Sequence, residues 1–303
     1  MVAMPEPSPS PPALPCALCL NPSDADERNL VRCNVRRFRD QRFSVWRCAR
    51  CRSLHCEPVQ DLAAYYDGYP IRNQSLDYFS RAWYRIVLKR LVQAGLRRDS
   101  SVLDFGCNQG LFIQFLAENG YRDCKGYDPF VAQFSDRAVL ADRYDFVVSL
   151  DVIEHDPSPD AFLRQLAGLL RPQGRLCVET PNAEGIDLQD PEEYLHALHV
   201  PYHVHILSKR ALEGLAQQLG LATLATYDRW YMDARPPGTA RRLFESLLRF
   251  GDNDIDAGYE PPRLGLFLAH PTLLFHLFFG YFLPAHKSDH MMLIFTPGHD
   301  QIS

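Results

Sequence analysis

The sequence has no excess of positive charge, no unbroken apolar run of membrane-spanning length and no basic-then-apolar leader. Each absence excludes something. A net charge of -5 and a pI near 6.1 remove any chain-wide bias toward nucleic acid. Without a leader-like start, the expected location is cytoplasmic. Cysteine is not scarce: nine residues, an odd number, argue against a disulfide framework and, where clustered, for metal. The longest apolar stretch is LGLFLAHPTLLFHLFFGYFL at 264–283, and His270, Pro271, His276 and Gly280 interrupt it. It is expected to form a buried or interfacial helical insertion rather than a span, with peripheral contact to a membrane or a lipid-linked substrate. The 303 residues have room for one large domain or two modest ones.

What is present starts with residues 101–110, SVLDFGCNQG. They read as a short buried strand, a glycine-punctuated turn and a helix start. Asp128 ends a second strand, CKGYD. In a parallel α/β sheet that pairing holds a nucleoside: the turn offers backbone N–H groups and the acid takes the ribose hydroxyls. The turn lacks the third glycine of the dinucleotide pattern G-x-G-x-x-G. It is G-x-N-x-G, with Asn108, a residue suited to positive φ, in the middle.

The alternation continues through YDFVVSL (144–150), a helix opened by Ser158-Pro159, an RPQG turn, RLCVET, a helix capped by Ser208, and LATLATY. The final MMLIFTP is expected to pair with LATLATY. Upstream, 76–96 reads as a helix with Phe79, Trp83, Ile86, Val87 and Leu91 on one spacing. The expected fold class is α/β, a doubly wound and mainly parallel sheet, with a small N-terminal zinc ribbon and a helical insertion before the last strand. The expected order is a disordered tail (1–15), ribbon (16–58), helical lid or linker (59–100), core (101–231), insertion (232–288), and final strand and tail (289–303).

The ribbon rests on Cys16-x-x-Cys19 and Cys48-x-x-Cys51. Two such knuckles supply four thiolates for a tetrahedral structural Zn2+ with no open position. Cys33, His55 and Cys56 are substitutes for one ligand. The ribbon is also basic: Arg28, Arg32, Arg36, Arg37, Arg39, Arg42, Arg47, Arg50 and Arg52 face only Asp40 in their own span. They read either as an anion site or as a solvated face.

Four stretches occur in an order that resembles the class I S-adenosylmethionine-dependent methyltransferases. VLDFGCNQG resembles the first motif of that family and GYDP the second. YDFVVSLDVIEHDPSP resembles the fourth strand and its turn, and LLRPQGRLCVETPN the next turn and strand. HVHILSKRAL resembles the segment that carries a histidine over the site. The resemblance covers 76–231 and implies S-adenosylmethionine as co-substrate. It implies that Asp104, Gly106, Cys107, Asn108 and Gly110 hold the methionine end. Asp128, with Pro129 beside it, would take the ribose, and Leu150 and Asp151 would lie beside the sulfonium and adenosine. Cysteine-paired modules ahead of such domains occur in sugar and cell-envelope gene products, which the chain resembles loosely. One departure is clear: between Asp128 and Tyr144 there is room for only a stub of third strand near 138–140. The adenine contacts are therefore open, with Ala141 and Asp142 as candidates.

Methyl transfer needs alignment and removal of a proton when the nucleophile is a hydroxyl. His155, His203 and His205 follow strands where an open sheet places its ligand, and they are the expected bases. Asp151, Glu154 and His155 are an alternative divalent-metal set. The expected acceptor is a small molecule, plausibly a sugar or cell-envelope intermediate. The rivals are an RNA methyltransferase gripping RNA through the ribbon, and a cofactor-sensing protein without catalysis.

Overall fold

The structure is a computed structural model. It describes residues 15–20, 25–67, 74–230, 234–258, 260, 264–283 and 288–298. Apart from Pro15, the tail expected at 1–15 lies outside the described residues, as does the end at 299–303.

The chain opens with the knuckle at Cys16–Cys19, then an antiparallel hairpin of β1 (Ala25–Arg32) and β2 (Arg42–Cys48), then the short β3 (Leu54–Cys56). A one-turn α1 (Ala63–Tyr66) leads to α2 (Tyr78–Gln93). Asp77 caps α2 by accepting from the Ser80 N–H at 2.9 Å, and Gly95 ends it at φ 103°. Tyr84, Val87 and Leu91 of α2 are buried, whereas Phe79 is 40% exposed.

The main sheet follows: β4 (Val102–Phe105), α3 (Leu111–Glu118), β5 (Cys124–Tyr127), β6 (Tyr144–Leu150), α4 (Pro159–Gly168) and β7 (Leu170–Pro181). After the short α5 (Leu195–Leu198) and β8 (His205–Ile206) come α6 (Lys209–Gln218) and β9 (Leu221–Arg229). The six strands run in the order β5-β4-β6-β7-β10-β9, where β10 is His290–Pro297. The first four are parallel, and β10 lies antiparallel to both β7 and β9. β4 and β6 are apolar runs because helices cover both faces. Leu163, Leu166, Leu212 and Leu215 pack on one face, and Val87, Leu91, Phe112 and Phe115 on the other.

Two expectations change. Residues 138–140 are not a strand: a 3-10 turn at Arg137–Ala141 occupies that stretch, so β5 is the sheet edge. The RPQG stretch is the irregular start of β7 rather than a free turn, with a register shift opposite Tyr144 and Phe146.

β8 leaves the main sheet and pairs with β3, making a second sheet in the order β1-β2-β3-β8. Here the arginines find their partners. Arg28 pairs with Glu57, Arg47 with Glu27 at 2.8 Å, and Arg52 with Asp26. Arg32, Arg36 and Arg39 converge at 3.5–3.7 Å on Asp254, which is 1% exposed. The acidic turn at 252–256 thus lies on the basic hairpin, and Ile255 N–H donates to the Asn34 carbonyl at 2.7 Å.

Between β9 and β10 lie α7 (Arg241–Phe250), α8 (Leu264–Ala269) and α9 (Pro271–Phe279). His270-Pro271 breaks the apolar run, because proline lacks the N–H that would continue the helix. Among the described residues no helix is long and apolar enough to cross a membrane. Of α9 only Leu273 is fully buried, and Phe275, Phe278 and Phe279 are half exposed. The segment is therefore largely exposed rather than buried.

Candidate active site

At the end of β4 the chain enters the turn 106–110. Gly106, Asn108 and Gly110 have φ of 83°, 47° and 73°, so alternate residues are left-handed. A Cβ on Gly106 would come within 2.4 Å of Val152, and one on Gly110 within 2.4 Å of the Phe134 ring. Both positions require glycine. Asp128, just past β5, fixes the turn: its Oδ2 accepts from the Asn108 N–H and its Oδ1 from the Phe130 N–H, each at 2.9 Å. One lone pair per oxygen remains for a ligand.

This turn forms one wall of a cleft of about 1690 Å3. Asp104, Gly106, Cys107, Asn108, Asp128, Leu150 and Asp151 all line it. Gly110 and Pro129 do not. Gly110 acts through the shape of the turn. Ala141 and Asp142 are also absent from the lining, and Asp142 instead pairs with Lys125 at 2.7 Å. Phe130, Val131 and Ala132 stand on that side of the cleft. Phe79 and Trp83 of α2 face Phe244 and Leu247 of α7 across the remainder.

The carboxyl groups in the cleft are in unusual states. Burial, with Asp128 as a second cause, pushes Asp104 up to about 7. Burial also raises Asp151 and Glu154 above the ordinary carboxylate range, and for Asp151 the neighbouring Glu154 adds to it. Asp151 is left-handed at φ 53°, and its buried Oδ1 has no hydrogen-bond partner. A buried acid without a partner is costly unless a cation or donor from a ligand reaches it.

Of the three histidines expected as bases, two meet in the cleft. The rings of His155 and His203 stand edge to face at 4.7 Å. Burial lowers both, His155 to about 4, so neither is protonated at neutral pH. His205 is elsewhere: in β8 its Nδ1 lies 3.0 Å from His55 Nδ1, and it does not line the cleft. Its place in β8 turns it toward the ribbon. His196, His199 and His290 line the cleft as well, and Tyr66 approaches His155 at 3.2 Å. The sequence signalled His196 and His199 only as members of a histidine-rich segment. The buried ion pair of Glu179 with Arg229 went unread. Its signal was a lone acid inside the apolar strand RLCVET.

The four knuckle cysteines come together. Their sulfurs lie within 4.8 Å of one another, with Cys16 to Cys51 at 3.5 Å and Cys19 to Cys48 at 3.6 Å. A tetrahedron of zinc–sulfur bonds of about 2.3 Å has edges of about 3.8 Å, so the set fits. His55 Nε2 lies 3.2 Å from Cys16 as an outer neighbour. Cys33 and Cys56 belong to a separate apolar cluster and are not in the set.

Known proteins resemble this chain over part of its length. The family described as "Methyltransferase domain" matches residues 77–226. A tRNA U34 carboxymethyltransferase from Idiomarina loihiensis is 29% identical over 154 residues, 42% of this chain and 47% of that protein. A ubiquinone biosynthesis O-methyltransferase from Aeromonas salmonicida is 39% identical over 115 residues, 31% of this chain and 46% of that protein. The chain thus spans about half the length of these curated relatives. A magnesium protoporphyrin IX methyltransferase from Synechocystis, solved with bound SAH, is 18% identical, with a TM-score of 0.40 over 55% of this chain and 89% of that one. Residues 77–226 thus resemble a methyltransferase domain, and the curated relatives that match the chain are transferases of this kind.

Proposed function

We propose that the protein transfers a methyl group from S-adenosylmethionine to a small-molecule acceptor held in the cleft between the 106–110 turn and α7. The observation that carries this reading is the continuity of the cleft. One cavity joins Asp104, Asn108 and Asp128 to the buried histidines and to an apolar wall of Phe244, Leu247 and Leu248. Bound S-adenosylmethionine supplies an electrophilic methyl on a sulfonium. The chain's own residues do the rest. Asp128 offers its remaining lone pairs to the ribose hydroxyls. The left-handed turn brings backbone close to the methionine end, and Asp104 meets its ammonium. Leu150 and Asp151 flank the adenosine, and Phe130 to Ala132 take the place of the missing third strand beside the base. His155 and His203 line the part of the cleft left to the acceptor.

The Cys16, Cys19, Cys48 and Cys51 set holds a structural Zn2+, on this reading, and keeps the ribbon folded. The pairing of Arg32, Arg36 and Arg39 with Asp254 weighs against the RNA-gripping alternative, while the tRNA-modifying relative keeps it as the second reading. The exposed aromatic face of α9 favours an acceptor with an apolar or lipid-linked part. A cell-envelope intermediate in which a sugar is linked to a lipid carrier has that character.

Incubation with labelled S-adenosylmethionine and the small-molecule fraction of a cell extract tests the proposal. A labelled product should form, and it should be absent with Asp128→Ala. Cofactor binding without any labelled product would favour the sensing role instead.

A further inference from the structure

We propose that Glu154, His155 and His203 form a second metal site, which binds one divalent first-row cation at the wall of the cleft. The three side chains each offer a ligand atom, and these atoms lie within 4.8 Å of one another. Glu154 comes from the turn after β6, His155 follows it, and His203 arrives from the segment between α5 and β8. The set differs from the Asp151, Glu154 and His155 set expected after that strand: His203 is the third member in place of Asp151.

Three features point to an ion rather than to ordinary packing. Glu154 is completely buried, and its Oε2 accepts from the Thr180 hydroxyl at 2.9 Å. Its Oε1 has no hydrogen-bond partner. That atom lies 3.9 Å from His203 Nε2, too far for a hydrogen bond. A buried carboxylate oxygen left in this state is costly unless a cation satisfies it.

The histidines are also oriented for ligation. His203 Nδ1 lies 2.8 Å from the Ala197 carbonyl, and His155 Nδ1 lies 3.0 Å from the Tyr202 carbonyl. Each Nδ1 therefore carries the proton and donates it, which leaves the Nε2 lone pair on the opposite side of the ring. A backbone carbonyl behind the ring is the usual device that fixes the tautomer of a metal-bound histidine. Bonds of about 2.1 Å in tetrahedral array place ligand atoms about 3.4 Å apart, so a shift of a few tenths of an ångström closes the site.

The donor set of two imidazoles and one carboxylate suits Mn2+, Fe2+, Co2+ or Zn2+. It contrasts with the cysteine set: three protein ligands leave coordination positions open, as in reactive rather than structural centres. His155 and His203 line the cleft, so a metal held by this set would be within reach of a ligand there. The open positions suit an acceptor that presents an oxygen, so the acceptor class is an alcohol, phenol or diol. In the transfer its O–H bond breaks and the proton passes to solvent. The oxygen lone pair forms the O–CH3 bond, and the S–CH3 bond breaks with its pair remaining on sulfur. This assignment of acceptor class rests on the methyl-transfer reading; the metal site does not.

Titration of the full chain with Mn2+, followed by electron paramagnetic resonance, tests the site. Mn2+ prefers oxygen and imidazole donors and does not compete for a thiolate set. About one bound Mn2+ per chain is expected, with affinity reduced at least about tenfold in Glu154→Gln and in His203→Gln. If Glu154→Gln fails to fold, as judged by SAH titration, His203→Gln carries the comparison. A parent protein that binds SAH but holds no Mn2+ overturns the site, as does equal Mn2+ affinity in parent and both variants. Mn2+ binding without SAH binding upholds the site and overturns the methyl-transfer reading instead.

Discussion

In the six-stranded sheet, β4, β6 and β7 are covered on both faces, and the 106–110 turn hangs from the end of β4. In the four-stranded sheet, β3 has three residues and β8 two. The first region is held by burial of apolar side chains. The second has an apolar cluster of its own around Val31, Val45, Leu54 and Ile206, and it adds four clustered cysteines, Arg47 donating to the Ala183 and Ile186 carbonyls, and the arginines around Asp254. Yet it is the small sheet that sets the histidine segment. Asn34 Nδ2 donates to the Leu195 carbonyl at 2.8 Å, the Asn34 carboxamide meets His199 at 2.6 Å, and β8 pairs with β3. The large sheet positions the wall of the cleft that carries the 106–110 turn, and the ribbon positions the wall that carries the histidines.

This division can be broken from the ribbon side. The largest effect is expected from Cys48→Ser. Loss of one ligand should remove about one equivalent of zinc, read by elemental analysis, and unfold the ribbon, because metal binding supplies folding free energy. Methyl transfer should fail while the 106–110 turn survives. A stably folded, metal-free parent would refute the zinc assignment. Asp254→Ala should be milder. It leaves Arg32, Arg36 and Arg39 facing one another without the buried carboxylate. Because Arg36 and Arg39 are nearly half exposed, water screens much of the effect, and a loss of about 1–3 kcal/mol in urea unfolding is expected. An unchanged midpoint would show that the turn is not held by this cluster.

On the large-sheet side, Asp104→Asn separates stability from binding. The folded value of about 7 lies above the ordinary 3.8, so the folded state keeps a proton that the unfolded chain releases. The associated stability is full below about pH 4 and is lost as pH rises to about 7. Asparagine should remove this slope, on the order of 1.4 kcal/mol for each pKa unit. The variant should therefore gain on the parent above pH 7 while binding cofactor less well. Parallel stability curves from pH 5 to 8 would contradict the burial argument.

The sequence made the large sheet legible because its signals are local. Apolar runs mark β4 and β6, Asn108 between glycines marks the left-handed turn, and MMLIFTP does pair with LATLATY, as β10 against β9. The contacts that build the other side are distant in sequence. Arg36 and Asp254 are 218 positions apart, and Glu154 and His203 are 49. No periodicity connects such pairs, though three arginines and a turn with three aspartates at 252–256 were both in view. His205 departs from its expected place for a related reason. Spacing places it after a strand of the main sheet, whereas pairing with β3 turns it toward His55. Helix–strand alternation also cannot tell a stub strand from a 3-10 turn, which is why 137–141 stayed open.

The account's central claim is that the 106–110 turn with Asp128 binds S-adenosylmethionine. Isothermal titration of the parent and of Asp128→Ala with SAH tests it most directly. The parent should bind one equivalent, and loss of two charge-assisted hydrogen bonds, at about 1.5–3 kcal/mol each, should weaken the variant by two orders of magnitude or more. A parent that binds neither SAH nor S-adenosylmethionine, or a variant that binds as tightly as the parent, would contradict it.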